Sequence, residues 1–222
     1  MDHLLVIEAS TKMLSLALFQ NGKLLSETVK EPDEKTHSEQ ILVILDDLIS
    51  KNSISLEKIN KIAVSIGPGS YTSLRVGLAT VFGFCERKNC EVIPYSSLEA
   101  MAFGFDREGI IIPILKAGRG RIYAGIFEKK EGQLTRLKTD SSLLPSDLDT
   151  FINSTIERLN DRTIALIGPG LALLSDKKSG FAYDESFQPK SSYAGKMVLN
   201  LQKPFLPLEK ITLQYLQEPD FG

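Results

Sequence analysis

"SIGPGSYTSLRVG", residues 65–77, places two glycines around a proline, then a run of hydroxyls, then the start of a helical pattern. Glycines after a strand and before a helix let the backbone approach a ligand closely, and the helix N-terminus favours anions. The same residues also make a tight strand-to-helix corner with Ser70 as N-cap. No G-x-x-x-x-G-K-[ST] pattern is present, and no lysine follows to reach a β- or γ-phosphate. The stretch is therefore a corner between a strand at 61–66 and a helix over about 71–87, with anion binding as the second reading.

Working back from the corner, residues 4–9, 14–19 and 23–29 read as strands, the last two joined by the hairpin pair Asn21-Gly22. A helix over about 36–50 follows, opened by Thr36 and Glu39 at capping-box spacing. Its apolar residues Ile41, Leu42, Ile44, Leu45, Leu48 and Ile49 span roughly 160° of the helical wheel. Forward of the corner lie a strand at 91–94 and a helix at 97–105. The second half repeats the order, with strands at 110–116, 121–128 and 133–138, a helix at 146–153 behind Pro145, and a strand at 163–167. That strand ends in Ile167-Gly168-Pro169-Gly170, an echo of Ile66-Gly67-Pro68-Gly69. A matched tetrapeptide at a matched point of a matched element order predicts an internal duplication of β-β-β-α-β-α units in an α/β fold with mixed sheets. The expected units are 1–106 and 107–222, with "FGFDREG" (103–109) at the junction. Residues 175–192 read as a long loop before a last helix at about 193–202.

The helix behind the corner has two dissimilar faces. Tyr71, Leu74, Leu78, Val81, Phe82 and Cys85 fall together at helical spacing, opposite Ser73, Gly77 and Thr80. The small side is expected to lie on the sheet and the bulky side to meet another helix. That helix is either the one at 36–50 or one from another protein, since an uncovered apolar face marks an interface.

Bulk composition narrows the remaining classes. Lys plus Arg number 26 and Asp plus Glu 28, a net charge of −2 that gives no global attraction to nucleic acid. The local basic run is "KAGRGR", residues 116–121, either a solvated turn or a contact to nucleic-acid phosphate. Two cysteines, Cys85 and Cys90, make no disulfide framework, and two histidines, His3 and His37, make no zinc pattern. No apolar run approaches the ~20 residues of a membrane helix. A cytoplasmic protein with no membrane association, no metal site and no cofactor is expected.

"LLVIEASTKMLSLALFQNGKLLSE", "THSEQILVILDDLI", "IAVSIGPGSYTSLRVGLATVFGF" and "IPYSSLEAMA" together resemble the TsaB (YeaZ) family, densely over residues 4–102 and more thinly at "ILKAGRGRIYAGIF" and "LQYLQ". These are accessory proteins in making threonylcarbamoyladenosine beside the tRNA anticodon. The resemblance implies an ASKHA-like fold of two RNase-H-like units and a non-catalytic role. It implies pairing with a TsaD-like catalytic subunit, addition of a TsaE-like ATPase, and homodimerisation when alone, with tRNA met only through the complex. His37, Gln40, Ile41, Ile44, Leu48, Tyr71, Leu74, Arg75, Leu78 and Phe82 are the expected partner-binding residues. An ASKHA-type nucleotide-binding ATPase or kinase is the alternative, using Ser10, Thr11, Gly67, Gly69 and Ser70. Four departures from the family pattern count against it: Glu8 where Asp is usual, Lys116 where the second unit usually has Asp, Ser73 where Gly is usual, and Gln217 for a C-terminal Arg. A peptidase reading finds no nucleophile constellation.

Overall fold

The computed structural model describes residues 2–31, 37–86, 90–156, 163–177 and 179–217. Thr36, and with it the expected capping box, lies outside them. The first sheet has the order β3-β2-β1-β4-β5, built from β1 (His3–Glu8), β2 (Leu14–Gln20), β3 (Lys23–Lys30), β4 (Ile59–Gly67) and β5 (Glu91–Ser96). β1 pairs antiparallel with β2 and parallel with β4, and β4 pairs parallel with β5. Every residue of β1 is buried, as a central strand covered on both faces requires.

The second sheet has the order β10-β9-β6-β7-β8: β6 (Gly109–Lys116), β7 (Ile122–Lys130), β8 (Gln133–Leu143), β9 (Ile164–Ile167) and β10 (Phe181–Asp184). β6 takes the place of β1, with β7 antiparallel on one side and β9 parallel on the other. The two sheets thus share one topology, and the two Gly-Pro-Gly corners occupy equivalent points. Gly67 and Gly168 have φ of 113° and 112°, a region open to glycine but not to other residues at low cost. A Cβ on Gly69 would overlap the Ser10 carbonyl, and one on Gly170 would come within 2.9 Å of the Ile114 carbonyl carbon. Each corner is therefore pressed onto the end of the first strand of its own unit.

Among the described residues, five α-helices complete the layers: α1 (His37–Lys51), α2 (Tyr71–Cys85), α3 (Ser97–Gly104), α4 (Leu148–Ile156) and α5 (Ser191–Asn200). Ser70 caps α2 through Ser73 N at 3.4 Å, and Ser96 caps α3 through Glu99 N at 3.2 Å. α1 and α2 cover one face of the first sheet in a core containing Ile7, Leu16, Ile44, Leu48, Val64 and Val81. The last helices of the two units are exchanged. α5 packs Ala194, Met197 and Val198 on Val6, Phe19 and Tyr95 of the first sheet. α3 packs Leu98, Met101 and Phe105 against Ile111, Tyr123 and Phe127 of the second. The exchange makes the junction a shared core.

A buried polar contact adds to it. The Ser96 hydroxyl donates to Asp140 of β8 at 2.6 Å, while Arg136 ion-pairs with the same carboxylate. Burial pushes the Asp140 carboxyl up, against the pull of Arg136 and Ser96.

Two sequence expectations need correction. The stretch 175–192 is not all loop, because Phe181–Asp184 forms β10 beside β9. The second corner opens a short 3-10 turn, Pro169–Leu173, where the first opens α2. The chain after it, "LSDKKSG", is polar and lacks the apolar stripe a longer helix would bury.

Candidate functional site

The site is built around the first corner. The Gly67–Pro68 peptide is cis, and Ser70 N donates to the Ser10 carbonyl at 2.7 Å. Ser10 belongs to the turn that leaves β1, and its own amide donates back to Glu8 Oε1 at 2.8 Å. Glu8 ends β1 with its side chain fully enclosed beside Ser65 and Tyr95. Burial pushes the Glu8 carboxyl up, opposed by the Ser10 hydroxyl and amide and then by the Ser65 and Tyr95 hydroxyls. Burial likewise raises the Tyr95 phenol, whose hydroxyl donates to the Ile7 carbonyl at 2.8 Å. Glu8 Oε2 and Ser10 Oγ are both buried without completing a hydrogen bond.

A cleft of about 1030 Å³ opens above this floor, between the two units. Of the expected nucleotide residues, Ser10, Thr11, Gly69 and Ser70 line it together, and Gly67 lies behind the corner. The opposite wall is the β6–β7 hairpin, which contributes Lys116, Ala117, Gly118 and Arg119. Of the basic run, Arg121 is spent on structure, since its guanidinium donates to Ser142 Oγ at 3.0 Å and to the Ser142 carbonyl at 2.7 Å. Lys116 and Arg119 face the cleft. Among the described residues no cluster of three or more His, Cys, Asp or Glu is placed to hold a metal.

The chain beyond α5 supplies a wall that local patterns miss. Ile211 is buried in the first core, Gln214 N donates to the Ile66 carbonyl at 2.7 Å, and Gln217 Nε2 donates to Ser142 Oγ at 2.7 Å. The tail therefore crosses from one unit to the other along the rim of the cleft. Tyr215 packs on Tyr71 with ring centroids 4.9 Å apart and accepts from Arg75 Nε at 3.2 Å. The "LQYLQ" segment was the available signal, but its destination depends on contacts far away in sequence.

The outer face of α2 carries part of the expected partner surface. Arg75, Leu78, Ala79 and Phe82 border an open groove of about 540 Å³ whose other side is Ile211, Thr212, Leu213 and Tyr215 of the tail. Phe82 is 39 % exposed. Tyr71, at the other end of α2, is half-buried against Tyr215. The expected set does not lie on one surface, however. Ile41, Ile44, Leu48 and Leu74 are each 1 % exposed and form the core. Gln40 is buried as well, and the His37 side chain lies outside the described residues. The correction follows from position: α1 lies over the sheet and beside α2, so its wide apolar arc is used inside the subunit. Of its described apolar residues, α1 turns Leu42 and Val43 outward, 60 % and 55 % exposed, beside the exposed Asp46 and Asp47. On α2 the small residue Gly77 does face the sheet, where a Cβ added to it would lie 3.5 Å from Ala9 Cβ, while Val81 and Cys85 are buried too.

A family model described as TsaD, tRNA N6-adenosine threonylcarbamoyltransferase, matches residues 23–151. The chain is 29 % identical over 171 residues to the tRNA threonylcarbamoyladenosine biosynthesis protein TsaB of Bacillus subtilis, covering 77 % of this chain and 72 % of that one. It is 23 % identical over 210 residues to TsaB of Escherichia coli, covering 92 % and 84 %. Among solved structures, YeaZ from Pseudomonas aeruginosa superposes with a TM-score of 0.82 at 20 % identity, covering 97 % of this chain and all of the other. That likeness and the repeated sheet topology establish an ASKHA-like fold of two RNase-H-like units. With sequence relatives, architecture and corner in agreement, the chain belongs to the TsaB (YeaZ) family, within the TsaD-type group whose model spans more than half of it.

Proposed function

We propose that the chain is a non-catalytic activator of a TsaD-like subunit in the threonylcarbamoyladenosine modification of tRNA, and that it docks through the outer face of α2. The observation that carries this reading is the groove between α2 and the tail. It is apolar, open, and bordered by an exposed phenylalanine and by Arg75, the residue types that anchor interfaces. The names borne by its relatives and by its family model support the pathway. In this reading a TsaE-like ATPase joins the pair, tRNA is met only through the complex, and the same groove makes a homodimer when no partner is present. Unit 1–106 carries the docking helix α2, and unit 107–222 supplies the tail that forms the other side of the groove. An ATPase or kinase reading gains nothing from Glu8, whose carboxyl lies under the floor of the cleft.

The test is co-elution of the purified chain with the TsaD-like protein of its own organism. Phe82→Glu is the variant of choice, because Leu78 contributes to the core as well as to the groove. The variant should keep its circular dichroism and melting curve and lose co-elution. Normal co-elution by a folded Phe82→Glu protein would place the interface elsewhere.

A further inference from the structure

The docking groove carries a charge that its own walls do not balance. Arg75 is the one charged residue among the described residues that border it, and it stands exposed at one end. α2, from Tyr71 to Cys85, contains no Asp or Glu, and the tail over residues 211–217 contains no charged residue. The groups that hold the guanidinium are two neutral rings. Its Nε donates to the Tyr215 hydroxyl at 3.2 Å, and its Cζ lies 4.0 Å from the centre of the Tyr71 ring.

These contacts fix the guanidinium plane and engage one of its N–H donors. The Nη donors have no acceptor among the described residues, and a fork held in place beforehand loses less side-chain freedom on binding. Its complement is a carboxylate, which accepts two parallel N–H bonds from that edge. Phe82 stands seven positions further, two turns along the same face and about 10 Å away. Its exposed ring calls for an apolar side chain. The surface that fits the groove is therefore a helix face with an acid and an apolar residue two turns apart.

A second copy of this chain does not offer that acid. Two α2 helices packed antiparallel about Leu78 and Ala79 put each Arg75 opposite a Phe82. Glu86, the first acid beyond, lies eleven positions from Arg75, about 16 Å along the axis. Asp46 and Asp47 of α1 do not border the groove. We infer that Arg75 selects the partner: it pairs with a carboxylate on the TsaD-like subunit, and the charge left unpaired in a self-complex makes that complex the weaker one. The inference rests on the docking reading above and adds to it the chemistry the partner presents.

Calorimetry of the purified full chain against the TsaD-like protein of its own organism tests it, at low and at high salt. Parent affinity should fall as salt screens the pair. Arg75→Gln should keep its melting temperature, bind at least about tenfold more weakly, and lose most of the salt dependence. Tyr215→Phe removes the hydroxyl that Arg75 Nε donates to but keeps the ring and the charge, and it should bind as the parent does. Sedimentation of each chain alone should show Arg75→Gln self-associating at least as tightly as the parent. Any of four results overturns the inference. These are parent affinity in a folded Arg75→Gln chain, parent binding indifferent to salt, and weaker self-association of Arg75→Gln. The fourth is equal loss in Arg75→Gln and Tyr215→Phe, which would make Arg75 a prop for the tail. Phe82→Glu separates this inference from the docking reading. Normal binding by that variant removes the groove altogether, whereas its loss beside parent affinity in Arg75→Gln overturns the pairing alone.

Discussion

Ser70 N lies 2.7 Å from the Ser10 carbonyl, and this one hydrogen bond joins the turn after β1 to the corner after β4. It can form because nothing stands between the two segments at Gly69. A Cβ there would overlap the Ser10 carbonyl and come within 2.6 Å of Ser10 Cβ. The corner is thus a tight backbone contact first, and any ligand it holds approaches a surface already fixed by packing.

That contact separates two glycines close together in sequence. Gly69→Ala forces Ser10 and the corner apart, and overpacking of this kind costs about 1–3 kcal/mol. Gly83 sits on the exposed side of α2 with nothing within 4 Å of its would-be Cβ. Gly83→Ala removes only the helix penalty of glycine and should stabilise by about 0.5–1 kcal/mol. Urea unfolding of the two variants should move the midpoint in opposite directions. Equal shifts would remove the corner contact as the cause.

The tail makes a second, longer-range prediction. Ile211 is 5 % exposed in the first core, and beyond it the tail is held by the Gln214–Ile66 hydrogen bond and the Tyr215–Arg75–Tyr71 stack. Ile211→Ala should cost about 2–5 kcal/mol if the site behaves as core. It should also speed hydrogen exchange at the Gln214 amide more than at amides in the middle of β1. A stability loss with unchanged relative protection at Gln214 would mean that the tail is anchored by its later residues alone.

How much of this could be read in advance depends on the range of the contacts involved. The corner, the hairpin at Asn21-Gly22 and the duplication are local or repetitive, and they stand in the sequence as glycines, prolines and alternating apolar residues. The burial of Ile41, Ile44 and Leu48 was not legible, because a wide apolar arc looks the same whether its second neighbour is α2 or another protein. Only the packed position of α1 decides it, and it leaves Leu42 and Val43 outside. The strand at 181–184 is four residues long and flanked by polar loop, too short for periodicity to declare. The tail wall depends on pairings such as Gln217 with Ser142, which no local pattern encodes.

Glu8 gives the last prediction, and its sign follows from burial. The folded state holds this carboxyl above its ordinary range, so between the unfolded and folded values the native chain binds more protons than the unfolded one. Stability from Glu8 is then fully present below the unfolded value, about 4.3, and falls as pH rises until the folded value is passed. Glu8→Gln keeps an oxygen for the Ser10 amide but has no proton to lose. The Asp140 carboxyl is also raised by burial, but it is common to both proteins and cancels in the comparison. Denaturant unfolding from pH 4 upward should therefore show the Gln variant gaining on the parent as pH increases. Parallel pH profiles would mean that Glu8 ionises in the folded protein as easily as in the unfolded chain, and that its buried oxygen has a partner from solvent.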